Sequence, residues 1–250
     1  MSATRIFSAV LISALLAASP ATRAQDSGAF DKKQTEAIEG IVKSYLLKNP
    51  ELIREAITEL NKRQEAEAAE KRKGELASLY KQDTPFASGK GKLTVVEFFD
   101  YNCGYCRHAF DEVIKLTDTE KDVRVLFVEF PILSDESRKA SEIAIASAKQ
   151  NKYFEYHRAL MAKPGPATEE KALKVATELG LDIEQLKKDA ASPETAALIE
   201  KNLTMGTAMG VQGTPAFFVG DEAIPGAPDN LKQILAAAVA QVRDKGCSVC

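Results

Sequence analysis

The chain has 250 residues, 28 % of them charged, a formal net charge of −3, four cysteines and two histidines. Mild acidity gives no reason to expect nucleic acid as a partner. The length and 45 % hydrophobic content suit one globular domain with an appendage.

The N-terminus runs Met1-Ser2-Ala3-Thr4-Arg5, then apolar from Ile6 to Ala18, then Thr22-Arg23-Ala24. A positive start, a short apolar stretch and a small-x-small exit predict a secretory signal peptide over residues 1–24, cut after Ala24. The stretch is too short for a transmembrane helix, which needs about 20 apolar residues. The expected mature protein has 250 − 24 = 226 residues and a formal charge of −5, since Arg5 and Arg23 leave with the leader. It is expected to be soluble and exported, to a bacterial periplasm, where cysteines meet an oxidising environment.

Residues 25–83 read as a helical stalk. Ile38, Ile41, Val42, Tyr45 and Leu46 fall at i, i+3, i+4, i+7 and i+8, one face of a helix. Asn49-Pro50 breaks it, with Asn suited to cap the next helix and Pro to open it. Leu52, Ile53, Ala56, Ile57 and Leu60 carry the apolar face on. From Asn61 to Glu75 no large apolar residue occurs, which predicts a solvated surface. Two short amphipathic helices cannot bury their own faces, so the stalk is expected to pack against copies of itself, with a solvated surface helix as the alternative.

Asp83 to Gly91 is rich in turn formers and is expected to mark the domain boundary, with a brief strand near Phe86. Leu93–Phe99 reads as a buried strand and Gly104 to about Leu116 as a helix, with Cys103 and Cys106 at the turn between them. There Cys103 sits at a helix N-terminus, where free N–H groups and the positive dipole end favour a thiolate. Cys106 lies one turn on, so the two sulfurs can close and reopen a disulfide. That layout fits a dithiol/disulfide exchanger. A zinc site would have to borrow the extreme C-terminus, Cys247 and Cys250, and a purely structural disulfide is the other alternative. Glu97, inside the apolar strand, is either a buried carboxyl with a raised pKa or an edge-strand residue facing water.

Downstream, Val123–Phe130 reads as a strand ended by Pro131, and residues 135–210 as four or five helices. Ala216–Val219 is the next strand, Ala223–Ile224 its partner across a tight turn, and Asp229–Arg243 a closing helix. His108 is expected to face solvent and His157 to serve packing or surface. Cys247-Ser248-Val249-Cys250 is a tail whose thiols pair with each other, relay electrons, or clamp a soft metal such as Cu(I).

Two stretches carry a resemblance. Glu97-Phe98-Phe99-Asp100-Tyr101-Asn102-Cys103-Gly104-Tyr105-Cys106 resembles the active-site strand and helix of the DsbA-like branch of the thioredoxin superfamily. Gly213-Thr214-Pro215-Ala216-Phe217-Phe218 resembles that family's loop ending in a cis-proline. The Tyr45-Leu46-Leu47-Lys48-Asn49-Pro50-Glu51 stretch is similar to the oligomerising N-terminal segment of ScsC-type members. The resemblance implies an α/β thioredoxin fold over 84–245, with a helical insertion at about 135–208, an N-terminal helical stalk and a Cys-x-x-Cys tail at 246–250. It implies Cys103 as nucleophile, Cys106 as resolving thiol, and Glu97 as the acidic residue assisting proton transfer. Gly104 and Tyr105 would tune the potential and meet substrate. The backbone of Thr214, beside a cis Pro215, would pair with an extended substrate segment.

DsbA-like oxidases usually have His where this chain has Tyr105, whereas Gly-Tyr resembles the pair of the isomerase DsbC. Thr214 points the same way. The implied activity is therefore a periplasmic disulfide isomerase or reductase needing no cofactor and no metal. It would act on exported cysteine-containing proteins, with a membrane redox partner and as a homo-oligomer. A monomeric DsbA-like oxidase and a copper-binding thiol protein are the alternatives, the latter because ScsC-type proteins are associated with copper tolerance.

Overall fold

The computed structural model describes residues 30–250; the expected signal peptide lies outside the described residues. The chain divides into two units, one ending at Thr58 and one running from Glu59 to Cys250. In the first unit, α1 (Lys32–Lys48) opens with a capping box between Asp31 and Gln34 and buries none of its residues. Its apolar face stays open, with Ile41, Tyr45 and Leu47 all more than half exposed. The side chain of Asn49 donates back to the Tyr45 carbonyl and so closes α1 rather than capping α2 (Glu51–Lys81).

The second unit is built on one five-stranded sheet. Its strands are β1 (Ala87–Ser88), β2 (Leu93–Phe99), β3 (Val123–Glu129), β4 (Ala216–Val219) and β5 (Glu222–Pro225), in the order β1-β3-β2-β4-β5. β2 and β3 are parallel, joined by α3 (Gly104–Thr119); the other pairings are antiparallel. Between β3 and β4 come five helices: α4 (Asp135–Ala148), α5 (Tyr153–Ala162), α6 (Glu169–Glu178), α7 (Ile183–Ala190) and α8 (Pro193–Ala208), and α9 (Leu231–Lys245) closes the fold. This is a thioredoxin-like fold with an inserted helical subdomain. Side chains of Ser134, Thr168, Asp182 and Ser192 cap α4, α6, α7 and α8, satisfying N–H groups that a helix start leaves unpaired.

Successive residues of a strand point to opposite faces, and β2 uses both. Val95 and Phe99 enter one apolar cluster with α3, α9 and the helical subdomain, and Val96 and Phe98 enter the other with Leu126, Phe130 and Phe218. Leu76, Leu79 and Tyr80 of α2 cover that second cluster together with Met205 and Met209. The Tyr80 hydroxyl donates to the Gly220 carbonyl at 2.7 Å, and Arg124 donates to the Tyr80 carbonyl at 2.8 Å. α8 approaches so closely that a Cβ on Gly206 would lie 2.4 Å from the Phe130 ring, which is why that position is glycine.

The division between the units thus falls after Thr58, not near Asp83 as the turn-rich composition suggests. The reason is that the end of α2 supplies part of the sheet's cover. The run 61–75, which reads as uniformly solvated, contains the buried Arg72. Leu76→Ala should therefore destabilise the second unit by about 2–5 kcal/mol, as buried leucine truncations do; urea denaturation of the purified protein checks this.

Candidate active site

β2 delivers the site and α3 displays it. The last strand residue, Phe99, is followed by Asp100, whose buried carboxylate accepts from the backbone N–H of Asn102 at 2.7 Å and of Ile132 and Leu133 at 3.0 Å. That carboxylate holds the end of β2 to the segment after β3. Asn102 bonds the backbone N–H of Ala167 at 2.7 Å through its side-chain oxygen and reaches Ser137 through its amide nitrogen. Arg107 donates to the carbonyls of Tyr101 and Lys163. The active-site turn is therefore tied both to the segment after β3 and to the helical subdomain.

Cys103 is the N-cap of α3: its sulfur accepts the Cys106 N–H at 3.4 Å. The two cysteines are not joined to each other, Cys103 being 6 % exposed and Cys106 wholly buried. Hydrogen bonding from the Cys106 thiol is the largest influence on Cys103; with the backbone N–H groups of Cys106 and Tyr105 it outweighs burial and holds the thiol at about 6, against an ordinary 9. As a neutral thiol Cys103 donates to the Thr214 carbonyl at 3.1 Å. The Thr214 side chain adds to the lowering of the Cys103 thiol. Burial pushes the Cys106 thiol far up, helped by its bond to Cys103 and by Glu97. The two sulfurs are thus strongly unlike: one ionises easily, the other keeps its proton.

Glu97 is buried in the central strand, paired with Phe127 on one side and Phe217 on the other. It lies on the face of β2 shared with Val95 and Phe99 and is not an edge-strand residue. Burial, and then the charge of Cys103, raise its carboxyl to about 8. Its Oε2 has no hydrogen-bond partner. The Thr214–Pro215 peptide is cis, Pro215 is buried, and Thr214 faces the sulfur of Cys103. Gly104 and Tyr105 are exposed, Tyr105 at 68 %, and His108 is exposed on α3.

The structure also gathers residues that the sequence reading did not place together. The hydroxyls of Tyr153 and Tyr101 donate to Glu129 Oε1 at 2.9 and 3.2 Å, and Tyr101 also meets His157 Nδ1 at 2.9 Å. Burial raises Glu129 to about 8 and lowers His157 to about 3, so at neutral pH the carboxyl holds a proton and the imidazole is uncharged. His157 is core, not surface. Its signal was present in the aromatic run around it, Tyr153, Phe154 and Tyr156. Cys247 and Cys250 are joined by a disulfide. Cys247 packs at Gly220, the end of β4 opposite Thr214, so the two cysteine pairs are not brought together. Among the described residues, no helix is long and apolar enough to cross a membrane.

The sequence pattern of the DSBA-like thioredoxin domain matches residues 94–236, more than half of the chain. The chain belongs to that family of thiol–disulfide oxidoreductases. Residues 34–67 match a second pattern, the N-terminal domain of the copper resistance protein ScsC. A thioredoxin-like oxidoreductase from Silicibacter pomeroyi is 41 % identical with a TM-score of 0.63, covering 67 % of this chain and 96 % of that one. ScsC of Proteus mirabilis, in a transitional conformation, is 27 % identical with a TM-score of 0.63, covering 86 % of this chain and 100 % of its own. Among curated proteins, the Na(+)/H(+) antiporter NhaA 3 of Salinispora tropica is 30 % identical over 161 residues, 62 % of this chain and 24 % of the antiporter. The chain spans about a quarter of the length of the curated relatives it first matches.

Two outcomes follow from these geometries. Alkylation of the reduced protein should show one fast thiol that ionises near pH 6; Cys103→Ser should abolish it, and Cys106→Ala should move it up toward the free-cysteine value of about 8.5. An unfolded Glu loses its proton near 4.5, whereas folded Glu97 keeps it to about 8. Its contribution to stability is therefore fully present below pH 4.5 and lost as pH rises toward 8. Glu97→Gln should flatten the fall in unfolding free energy across that window, read from urea denaturation of the reduced protein.

Proposed function

We propose that this chain catalyses thiol–disulfide exchange on exported cysteine-containing proteins, working mainly as a disulfide isomerase or reductase. The observation that carries the reading is the unlike pair of sulfurs, with the easily ionised one at a helix N-terminus facing the Thr214 carbonyl. Cys103 as thiolate attacks one sulfur of a substrate disulfide. A Cys103–substrate disulfide forms and the second substrate sulfur leaves as a thiolate. In isomerisation a different substrate thiolate attacks the substrate sulfur of that mixed disulfide, which forms a new substrate disulfide and releases Cys103 as a thiolate. In reduction, Cys106 attacks Cys103, the substrate leaves as a thiolate, and Cys103–Cys106 becomes the oxidised pair. Cys106 must first lose its proton, and Glu97, once deprotonated, is the buried base placed to take it.

The backbone of Thr214 is the expected partner for an extended substrate segment beside Cys103. Gly104 and Tyr105 form the exposed rim, with Ile132 and Leu133 as further exposed apolar residues near it. The Gly-Tyr pair places no positive charge between the sulfurs, so the thiolate gains less stabilisation than beside a His and the dithiol is the better electron donor. A membrane redox partner would return the oxidised pair to the dithiol. The signal peptide expected over 1–24 supports the periplasm as the site of action.

The exposed apolar face of α1 supports a homo-oligomer through the N-terminal segment. Joining several active sites raises the local thiol concentration around one misfolded substrate. The full chain should sediment as an oligomer and refold a scrambled-disulfide substrate. A chain beginning at Glu59 should be monomeric, lose most isomerase activity, and keep or gain the ability to oxidise a reduced substrate. A monomeric full chain that oxidises faster than it isomerises would hand the lead to the DsbA-like oxidase reading. The ScsC match favours one further reading, soft Cu(I) ligation by thiols; stoichiometric Cu(I) uptake without turnover would support it.

A further inference from the structure

Beside the cis-Pro215 loop the second unit has a groove of about 570 Å³. The loop Gly210–Pro215 and strands β4 and β5 form one side, and Glu65 and Arg72 of α2 line it from the other. Arg72 is an unusual residue for such a wall. Its side chain is almost completely buried, with the guanidinium 5.8 Å from the centroid of the Phe218 ring. Nη2 donates to Glu65, a carboxylate whose own side chain is 64 % exposed. Nε is buried and has no acceptor. Thr214, on the same groove, turns its side chain toward the Cys103 sulfur.

Buried polar atoms are nearly always hydrogen-bonded, and an unpaired one needs an explanation. For Arg72 Nε, on a groove whose Thr214 touches the Cys103 sulfur, that explanation is a ligand that completes it. Nε and Nη2 lie along one edge of the planar guanidinium, an edge that suits both oxygens of a single carboxylate. Glu65 uses only the Nη2 half of it. We infer that this groove receives the polypeptide segment flanking the substrate cysteine, and that Arg72 selects an acidic side chain within that segment. The incoming carboxylate takes Nε and Nη2 together, and Glu65, tethered only at Nη2 and open to water, swings out. Glu65 thus acts as an internal stand-in that keeps the guanidinium neutralised between substrates. No bond is made or broken in this step beyond hydrogen bonds.

This selection rests on the exchange function proposed above, and the test separates the two. Synthetic peptide disulfides are prepared with a single Glu at one of the four residues on either side of the cysteine, each with a Gln counterpart. Their reduction by the full-length dithiol is followed at low and high salt. For at least one position the Glu peptide should react about tenfold faster than its Gln twin, the scale of a hydrogen bond to a charged group. The ratio should shrink as salt screens the pair. Arg72→Met should bring the ratio close to one, and Arg72→Lys should keep part of it. Glu65→Gln, a change at an exposed side chain, should raise the ratio roughly threefold by removing the competing carboxylate, and it decides the matter if Arg72→Met does not fold. Equal rates for every Glu/Gln pair, or a ratio indifferent to both Arg72→Met and Glu65→Gln, overturn the acidic-segment inference while leaving exchange in place. Failure of every peptide to react overturns the exchange reading itself.

Discussion

A sulfur atom caps α3, and the rest of the site depends on that substitution of sulfur for the usual oxygen. An N-cap must accept backbone N–H groups that have no other partner. A thiolate accepts them better than a thiol does, so the helix stabilises the ionised form of Cys103. The same geometry fixes Cys106 one turn along and inside the core, where its sulfur can donate to Cys103 but is poorly placed to ionise. One helix start thus makes two identical residues chemically different. The Asp100 carboxylate and the Asn102 and Arg107 bonds hold that start in place, so the asymmetry is a property of the fold rather than of either cysteine.

Carboxyl groups in the core are the second constraint. Glu97 and Glu129 lie on neighbouring strands that are buried on both faces, and burial makes their charged forms costly. The two are treated differently. Glu129 receives two tyrosine hydroxyls on one oxygen and so serves to join β3 to α5 of the helical subdomain. Glu97 has an unpartnered oxygen and feels both sulfurs. Each keeps one buried oxygen without a partner, but tyrosine hydroxyls tie Glu129 into the fold, whereas Glu97 lies in the field of the two sulfurs.

The C-terminal half of α2 both packs on the sheet and lines the groove. Leu76 and Leu79 are held by the apolar face of the sheet, and the same helical face carries Arg72 and Glu65 at earlier turns. Anchoring the leucines therefore also sets a buried guanidinium at the groove beside Thr214. One helix thus supplies both cover for the sheet and a wall of the groove.

Much of this was legible in the sequence because it is written in local chemistry. The strand over Leu93–Phe99, the helix start at Cys103, the strands at Val123 and Ala216 and the helical stretch from 135 follow from residue type and period, which do not depend on distant partners. So does the placing of the two cysteines on one helix face. The environment of a charged residue is different, because it is decided by what packs on it from far along the chain. Glu97 reads equally as a buried acid or a wet edge residue until β3 and β4 are seen to flank it. Arg72 sits in a run of Glu, Lys and Ala with no large apolar neighbour before Leu76, so its spacing of four and seven from Leu76 and Leu79 was a faint signal against a strong solvated one. His157 found Tyr101 and Glu129 only through the packing of α5 on the sheet. Sequence by itself determined the elements and the placing of two cysteines at a helix start, because helix ends and strand periods are local; tertiary structure alone decided which charges lose their water, because desolvation comes from residues that the chain brings together only on folding.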